Sequence, residues 1–316
     1  MRAEHPRRHL LGVDDLTRDD AYRILDTARA LERSLDREVK KLPTLRGRLV
    51  LNLFYESSTR TLSSFELAAK RLSADTMTLR ASGSSVDKGE SLRDTASTLA
   101  AYDPDVIVIR HPHIGAPHLV AAATQALVVN AGDGKHQHPT QALLDLFTIR
   151  EALGRLEDVR VAIVGDVLHS RVARSLVEGL RLVGASPLVV APPTLVPRGI
   201  EGMGCEVSHR IDAIGDADVV YVLRMQQERM DAAYVPSLRE YTSLYGITPE
   251  RVRPGQVVMH PGPMNRGVEI DPRVADSGAS LITTQVRAGL VVRMAVLYDL
   301  LTAPGLHVAQ PVLEVA

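Results

Sequence analysis

Residues 49–61 read Leu-Val-Leu-Asn-Leu-Phe-Tyr-Glu-Ser-Ser-Thr-Arg-Thr. The first six are a short apolar run with the length of a buried strand. Directly after it, Leu62, Phe65, Ala69 and Leu72 recur at helical spacing. A strand, a hydroxyl-rich turn and a helix in that order form the repeating unit of an α/β fold.

Working outward, further β-rich runs fall at 76–79, 106–109 and 126–130, with helical patterns between them. They predict a first parallel sheet. Residues 138–153 predict a helix, with Pro139 suited to its first turn and Gly154 to its end. The alternation then restarts at 159–164, 187–190, 219–223 and 257–260, which predict a second parallel sheet. A helix is expected from Thr17, with Asp20 completing a capping-box-like pattern, toward Lys40. Another is expected over 284–301, with an apolar stripe at Val286, Leu290, Met294 and Leu297. The short join near 150–158 argues for two closely packed domains.

With 316 residues, the chain is long enough for about two domains, each with its own core. The formal net charge of -1 gives no global pull toward nucleic acid, so affinity for anions must come from local clusters of Arg and Lys. A single cysteine, Cys205, excludes an internal disulfide framework and a cysteine-rich metal site. Basic residues at the start (Arg2, Arg7, Arg8) are followed by Asp14 and Asp15 with no uninterrupted apolar segment between, so a cytoplasmic protein without a membrane span is expected.

In open α/β sheets ligands bind beyond the carboxyl ends of the strands. The polar clusters of this sequence fall there. Ser58-Thr59-Arg60-Thr61 opens a helix, whose unpaired N–H groups and positive dipole end suit a phosphate. Arg60 adds a bidentate fork. Such caps are common, however, and a Ser/Thr cap beside a solvated Arg is an equally good reading of this motif alone. Ser84 through Glu90 forms a polar loop in which Lys88 is either a mobile phosphate ligand or an ordinary surface lysine. Arg110-His111-Pro112 ends the third strand, and Asn130-Ala131-Gly132-Asp133-Gly134 follows the fourth. His138 and Gln141 share one face of a helix's first turn, where the positive helix end disfavours an imidazolium. A plain helix cap is the competing reading of His138. In the second half, Arg171 opens a helix and is placed to hold a carboxylate, and a strand ends in Arg224-Met225-Gln226. No Walker loop, zinc spacing or spaced glycines of a dinucleotide turn are present. Arginines presented by both halves suggest one phosphorylated substrate and one carrying carboxylates.

These blocks resemble the aspartate/ornithine carbamoyltransferase family, and its aspartate branch in particular. The similarity runs through Ser58-Thr59-Arg60-Thr61, Lys88-Gly89-Glu90-Ser91, Arg110-His111-Pro112, the Asn130–Gly134 segment and the stretch His138-Pro139-Thr140-Gln141-Ala142-Leu143-Leu144-Asp145. It continues through Arg171, Arg224-Met225-Gln226 and His260-Pro261-Gly262-Pro263-Met264-Asn265-Arg266-Gly267. The resemblance implies transfer of a carbamoyl group from carbamoyl phosphate to L-aspartate, the second step of de novo pyrimidine (UMP) biosynthesis, without a cofactor or metal. It implies a carbamoyl phosphate-binding domain at 1–150, joined by a C-terminal helix over 288–316 that packs back on it, and an aspartate-binding domain at 151–287. By position, Ser58, Thr59, Arg60, Thr61 and Arg110 would bind the phosphate, with Ser84 and Lys88 reaching in from an adjacent subunit of a homotrimer. Thr61, Arg110 and His138 would polarise the carbamoyl oxygen, and Gln141 would hold the amine. Lys88, Arg171, Arg224, Gln226 and the backbone at Pro261 and Gly262 would meet the aspartate. Whether regulatory or dihydroorotase chains join the trimer stays open.

The chain departs from some aspartate enzymes after His260-Pro261, where Gly262, Met264 and a later Arg266 replace a bulky Leu and an early Arg. The ornithine branch would place a Cys where Pro261 stands. Two rivals remain at this stage. One is a transcarbamoylase acting on another amine, and the other is a non-catalytic assembly partner, which should have lost phosphate or carbamoyl ligands.

Overall fold

A computed structural model describes residues 9–80, 90–226 and 234–302. The first sheet contains β1 (Leu49–Phe54), β2 (Asp75–Arg80), β3 (Val106–His111) and β4 (Leu127–Asp133). Its strand order is β2-β1-β3-β4 and every pairing is parallel. The second sheet contains β5 (Arg160–Val164), β6 (Ser186–Val190), β7 (Glu206–Ser208), β8 (Val219–Val222) and β9 (Val257–Met259), in the parallel order β7-β6-β5-β8-β9. Each predicted strand is present within a few residues at either end. The three-residue edge strand β7 was not anticipated.

Helices cover both sheets: α1 (Arg18–Glu32), α2 (Thr59–Arg71), α3 (Leu92–Ala100), α4 (Ala116–Ala123), α5 (Pro139–Leu153), α6 (Arg171–Leu182), α7 (Leu238–Tyr245), α8 (Pro272–Ala275) and α9 (Ile282–Thr302). Helix α1 starts as expected, on a reciprocal capping box between Thr17 and Asp20. It ends sooner than expected, tightening into a 3-10 turn at Arg33–Asp36.

The stripe expected on α9 is corrected. Val286 is 60% exposed, whereas Met294, Leu297 and also Gln285, Ala288, Gly289, Val291, Val292 and Arg293 are buried. The helix packs against α1, α2 and α5, so it is enclosed on most sides and a single apolar seam does not describe it. One apolar core runs from β1 and α2 through α5 and α9 into β5 and α6. Gly179 in α6 brings that helix against Ala142 and Leu146 of α5; a Cβ there would lie 3.4 Å from both side chains. The two halves are therefore packed as one body. No helix among the described residues is long and apolar enough to cross a membrane.

The strand order reverses at two places. In the first sheet the chain moves from β1 to β2 on one side and then to β3 on the other. In the second it does the same around β5, with β6 and β8 as neighbours. Each reversal opens a crevice at the carboxyl ends of the strands.

Candidate active site

At the first crevice, Ser58 caps α2 in an extended conformation, its hydroxyl accepting from the Thr61 N–H. Thr59 and Arg60 stay open to solvent, and Thr61 is buried beneath them. The Arg60 guanidinium abuts Gly262, where an added Cβ would come within 2.9 Å of Nη1. Gly262 has φ +61, a conformation glycine adopts without a steric cost. The Arg60 pKa is pushed down, first by burial and then by the nearby positive charge of Arg224. Arg60 from the first sheet and Arg224 from the second thus crowd together beside the loop after β9.

That loop is held from within. The Gly262 N–H donates to His260 Nδ1 at 2.7 Å, so the ring proton sits on Nε2, which donates to Glu269 at 3.3 Å. Burial, followed by the opposing effects of Glu269 and of Arg60 and Arg224, leaves the His260 pKa below its ordinary value.

Arg110, at the end of β3, donates to Glu56 at 2.7 Å and to the Ala131 carbonyl at 3.3 Å. Arg171, the first residue of α6, donates through Nη2 to both oxygens of the same carboxylate, at 2.6 and 2.7 Å. Its Nη1 is buried with no hydrogen-bond partner among the described residues. Gly132, at φ +118, lies under both arginines, and a Cβ there would meet Arg171 Nη1 at 2.8 Å and Arg110 Nη1 at 3.3 Å. The segment around Gly132 serves geometry: Asn130 donates to the Leu11 carbonyl and to Asp133, and accepts from the Gly132 N–H.

His138 is the backbone cap of α5, but its side chain makes no cap hydrogen bond, so the plain-cap reading does not hold for the imidazole. Its N–H donates to Ser175 of α6 at 2.8 Å. Its pKa is well below the usual histidine value, first through complete burial and then through Arg110, Arg293 and Arg171. A neutral ring was expected; the charges responsible belong to these arginines. Gln141 donates its amide N–H to Asp145 at 3.2 and 3.3 Å.

On the second sheet, Asp166 ties the two strand-end loops together. One oxygen meets His169 Nδ1 at 2.8 Å and the other accepts from the Gln226 N–H at 3.2 Å. The Asn265 amide donates to the Met225 carbonyl at 3.2 Å, which joins the loop after β9 to the same cluster. Ser84 and Lys88 lie outside the described residues.

Of the acidic residues in the segments quoted above that were given no role, Glu56 and Asp145 bond to the residues selected for the site. Glu56 lies two residues before the Ser58 cap, next to four residues selected for an anion, and its charge at that place was the only signal. Asp145 lies inside an apolar helix, where its charge was the signal.

Comparison with known proteins gives the family of the chain. Residues 8–151 match the aspartate/ornithine carbamoyltransferase, carbamoyl-P binding domain, and residues 157–300 match the Asp/Orn binding domain of the same family. The chain is 58% identical over 298 residues to an aspartate carbamoyltransferase catalytic subunit of Acidothermus cellulolyticus, covering 93% of this chain and 92% of the relative. It is 56% identical over 304 residues to that of Sorangium cellulosum, covering 95% of each. Among solved structures, aspartate transcarbamoylase of Trypanosoma cruzi in complex with carbamoyl phosphate and aspartate superimposes with a TM-score of 0.82 at 32% identity, over 93% of this chain and 96% of that one. The catalytic subunit of M. jannaschii aspartate transcarbamoylase gives 0.82 at 38% identity, over 93% and 98%. This chain belongs to the aspartate/ornithine carbamoyltransferase family.

Proposed function

We propose that the chain is an aspartate carbamoyltransferase, converting carbamoyl phosphate and L-aspartate to N-carbamoyl-L-aspartate and phosphate in pyrimidine biosynthesis. The observation that carries this reading is that strand-end arginines pair across the two sheets, Arg60 beside Arg224 and Arg110 joined to Arg171 through Glu56. Two anionic substrates repel one another, and four cations around one cleft offset that repulsion while fixing their orientation.

In this reading Ser58, Thr59, Arg60, Thr61 and Arg110 hold the phosphate and Gln141 the carbamoyl amine. Arg171, Arg224, Gln226 and the backbone at Pro261 and Gly262 hold the aspartate. Ser84 and Lys88 arrive from the adjacent subunit of a homotrimer in the cytoplasm. Residues 1–150 with 288–316 form the carbamoyl phosphate domain, and 151–287 the aspartate domain. The aspartate amine attacks the carbamoyl carbon directly. The developing oxyanion is met by donors already in place from Thr61, Arg110 and His138, and the departing phosphate takes the amine proton. Depression of the His138 pKa supports a neutral donor there and not an acid.

The arginine assignments separate in a kinetic test. Arg171→Gln should raise the KM for aspartate while leaving phosphate affinity near that of the parent chain. Equal loss of both would contradict the division of the cleft.

A further inference from the structure

Beneath the cleft lies a buried cluster whose central carboxylate, Asp145, has no assigned part in the reaction. Asp145 in α5 accepts from Tyr221 Oη of β8 at 2.7 Å, from Gln285 Nε2 of α9 at 2.8 Å, and from Gln141 Nε2 one turn earlier in its own helix. Gln285 in turn accepts the His260 backbone N–H at 2.9 Å. That bond fixes the Gln285 amide: its oxygen faces His260, so its nitrogen must face Asp145. Three donors thus converge on one carboxylate, which in its ionised form can only accept. The Gln141 amide is held nitrogen-inward, and its Oε1 accepts no hydrogen bond from any described residue.

We propose that Asp145 is a positioning residue that fixes the Gln141 amide with its oxygen toward the cleft, as acceptor for an N–H of the transferred group. This selects carbamoyl phosphate over acyl phosphates that carry a methyl in place of the amine. The inference rests on the assignment of Gln141 to the carbamoyl amine made above. It adds that the direction of the amide, and so the selectivity, comes from a residue that never touches substrate.

Replacing the carboxylate by an amide has a defined consequence. Gln285 donates to Oδ1 and Tyr221 to Oδ2, so in Asp145→Asn the new oxygen takes the Oδ1 place, claimed by Gln285, whose orientation is pinned, and the NH2 takes the Oδ2 place, where the Tyr221 hydroxyl turns to accept from it. The new NH2 then faces Gln141, which turns its oxygen inward and presents N–H groups to the substrate amine. Donor would face donor for carbamoyl phosphate, while acetyl phosphate, with a methyl there, is nearly indifferent.

Protonation of Asp145 would have the same effect, because a carboxylic acid can donate to Gln141 Oε1. The pKa of Asp145 is raised to about 7 by burial, against the opposing bonds from Tyr221, Gln285 and Gln141 and the charge of Arg293 on α9. Tyr221 and Arg293 are the titratable groups facing it from β8 and α9, and neither ionises differently near neutrality. His138 is assigned above to the carbonyl oxygen, which both compounds share, so on that assignment its titration cancels in a ratio.

The experiment measures the KM for carbamoyl phosphate and the inhibition constant of acetyl phosphate competing with it. Wild-type turnover with aspartate is measured first, since its absence would overturn the proposed function and not this inference. The ratio favouring carbamoyl phosphate should fall about tenfold in Asp145→Asn, the worth of one hydrogen bond. In Tyr221→Phe, where Asp145 still accepts from both amides, it should not change. An unchanged ratio in the first variant, or an equal fall in both, would overturn the proposal. If Asp145→Asn does not fold, the wild-type ratio decides: a fall as pH drops from about 8.5 to about 6 supports the proposal, and a flat ratio overturns it.

Discussion

Glu56 and Arg171 are 115 positions apart and share two hydrogen bonds of 2.6 and 2.7 Å. Arg110 reaches the same carboxylate at 2.7 Å, so one side chain from the end of β1 links the strand ends of both sheets. Because Glu56 occupies only Nη2 of Arg171, Nη1 has no partner among the described residues, and in the proposed function it meets the aspartate carboxylate.

Glu56→Ala should leave the fold intact and raise the KM for aspartate by about 10- to 100-fold, from the roughly 1.5–3 kcal/mol of a charge-assisted bond. Steady-state kinetics beside a thermal melt would check it. An unchanged KM would mean that the link does not position Arg171.

Arg60→Ala removes the guanidinium that lies between the capped start of α2 and Gly262. The phosphate would then lose its charge-assisted bidentate donor, and turnover should fall by at least about a hundredfold. The melting temperature should change little, because Arg60 is open to solvent. Near-normal kcat/KM would remove the phosphate assignment.

Gly132→Ala places a methyl 2.8 Å from Arg171 Nη1 in a backbone conformation of φ +118. The strain is on the order of 1–3 kcal/mol, so both stability and activity should drop together. A variant with full activity and an unchanged melt would show that the loop gives way easily.

His138 links pH to stability. Its folded pKa lies well below the ordinary value, so below about pH 6.5 the unfolded chain binds a proton that the folded chain refuses. Its stabilising contribution is present above that pH and is lost as pH falls toward the folded pKa. Asp145, with its pKa raised to about 7, acts oppositely: the folded chain keeps a proton that the unfolded chain releases above its ordinary carboxylate value. Between about pH 5 and 6.5, the stability of His138→Gln should therefore fall less steeply with acid than that of the parent, by up to about 1.4 kcal/mol per pH unit. Denaturant unfolding across that window would check the slope, and parallel slopes would contradict a neutral buried ring.

Subunit mixing tests whether the site is shared. Lys88→Ala and His138→Ala chains, each inactive alone, should recover activity when exchanged, because hybrids assemble one site with both residues. Inactivity after demonstrated exchange would place Lys88 and His138 in the same subunit's site.

The central strands were legible because buried parallel strands are largely apolar runs, as in β3, β5 and β8, while the half-exposed β2 (Asp75–Arg80) was found from its β-favouring Thr, Met and Leu residues. Edge strand β7 was not, since Glu206–Ser208 is short and half polar. The end of α1 was overrun because the charged stretch after Glu32 carries no glycine or proline stop. On α9 the periodicity misled: Gln285 and Arg293 are buried for what they bond and balance, which an apolar count does not register. The same limit hid Glu56. A search for anion sites looks for cations and donors, yet the residue that ties Arg110 to Arg171 is an acid whose role depends on a partner 115 residues away.

The most direct measurement is product formation by the purified chain from carbamoyl phosphate with L-aspartate, and with ornithine in a parallel reaction. The account predicts N-carbamoyl-L-aspartate and phosphate in equal amounts from aspartate, and no carbamoylation of ornithine. Product from ornithine alone, or none from either amine by folded chain, would contradict it.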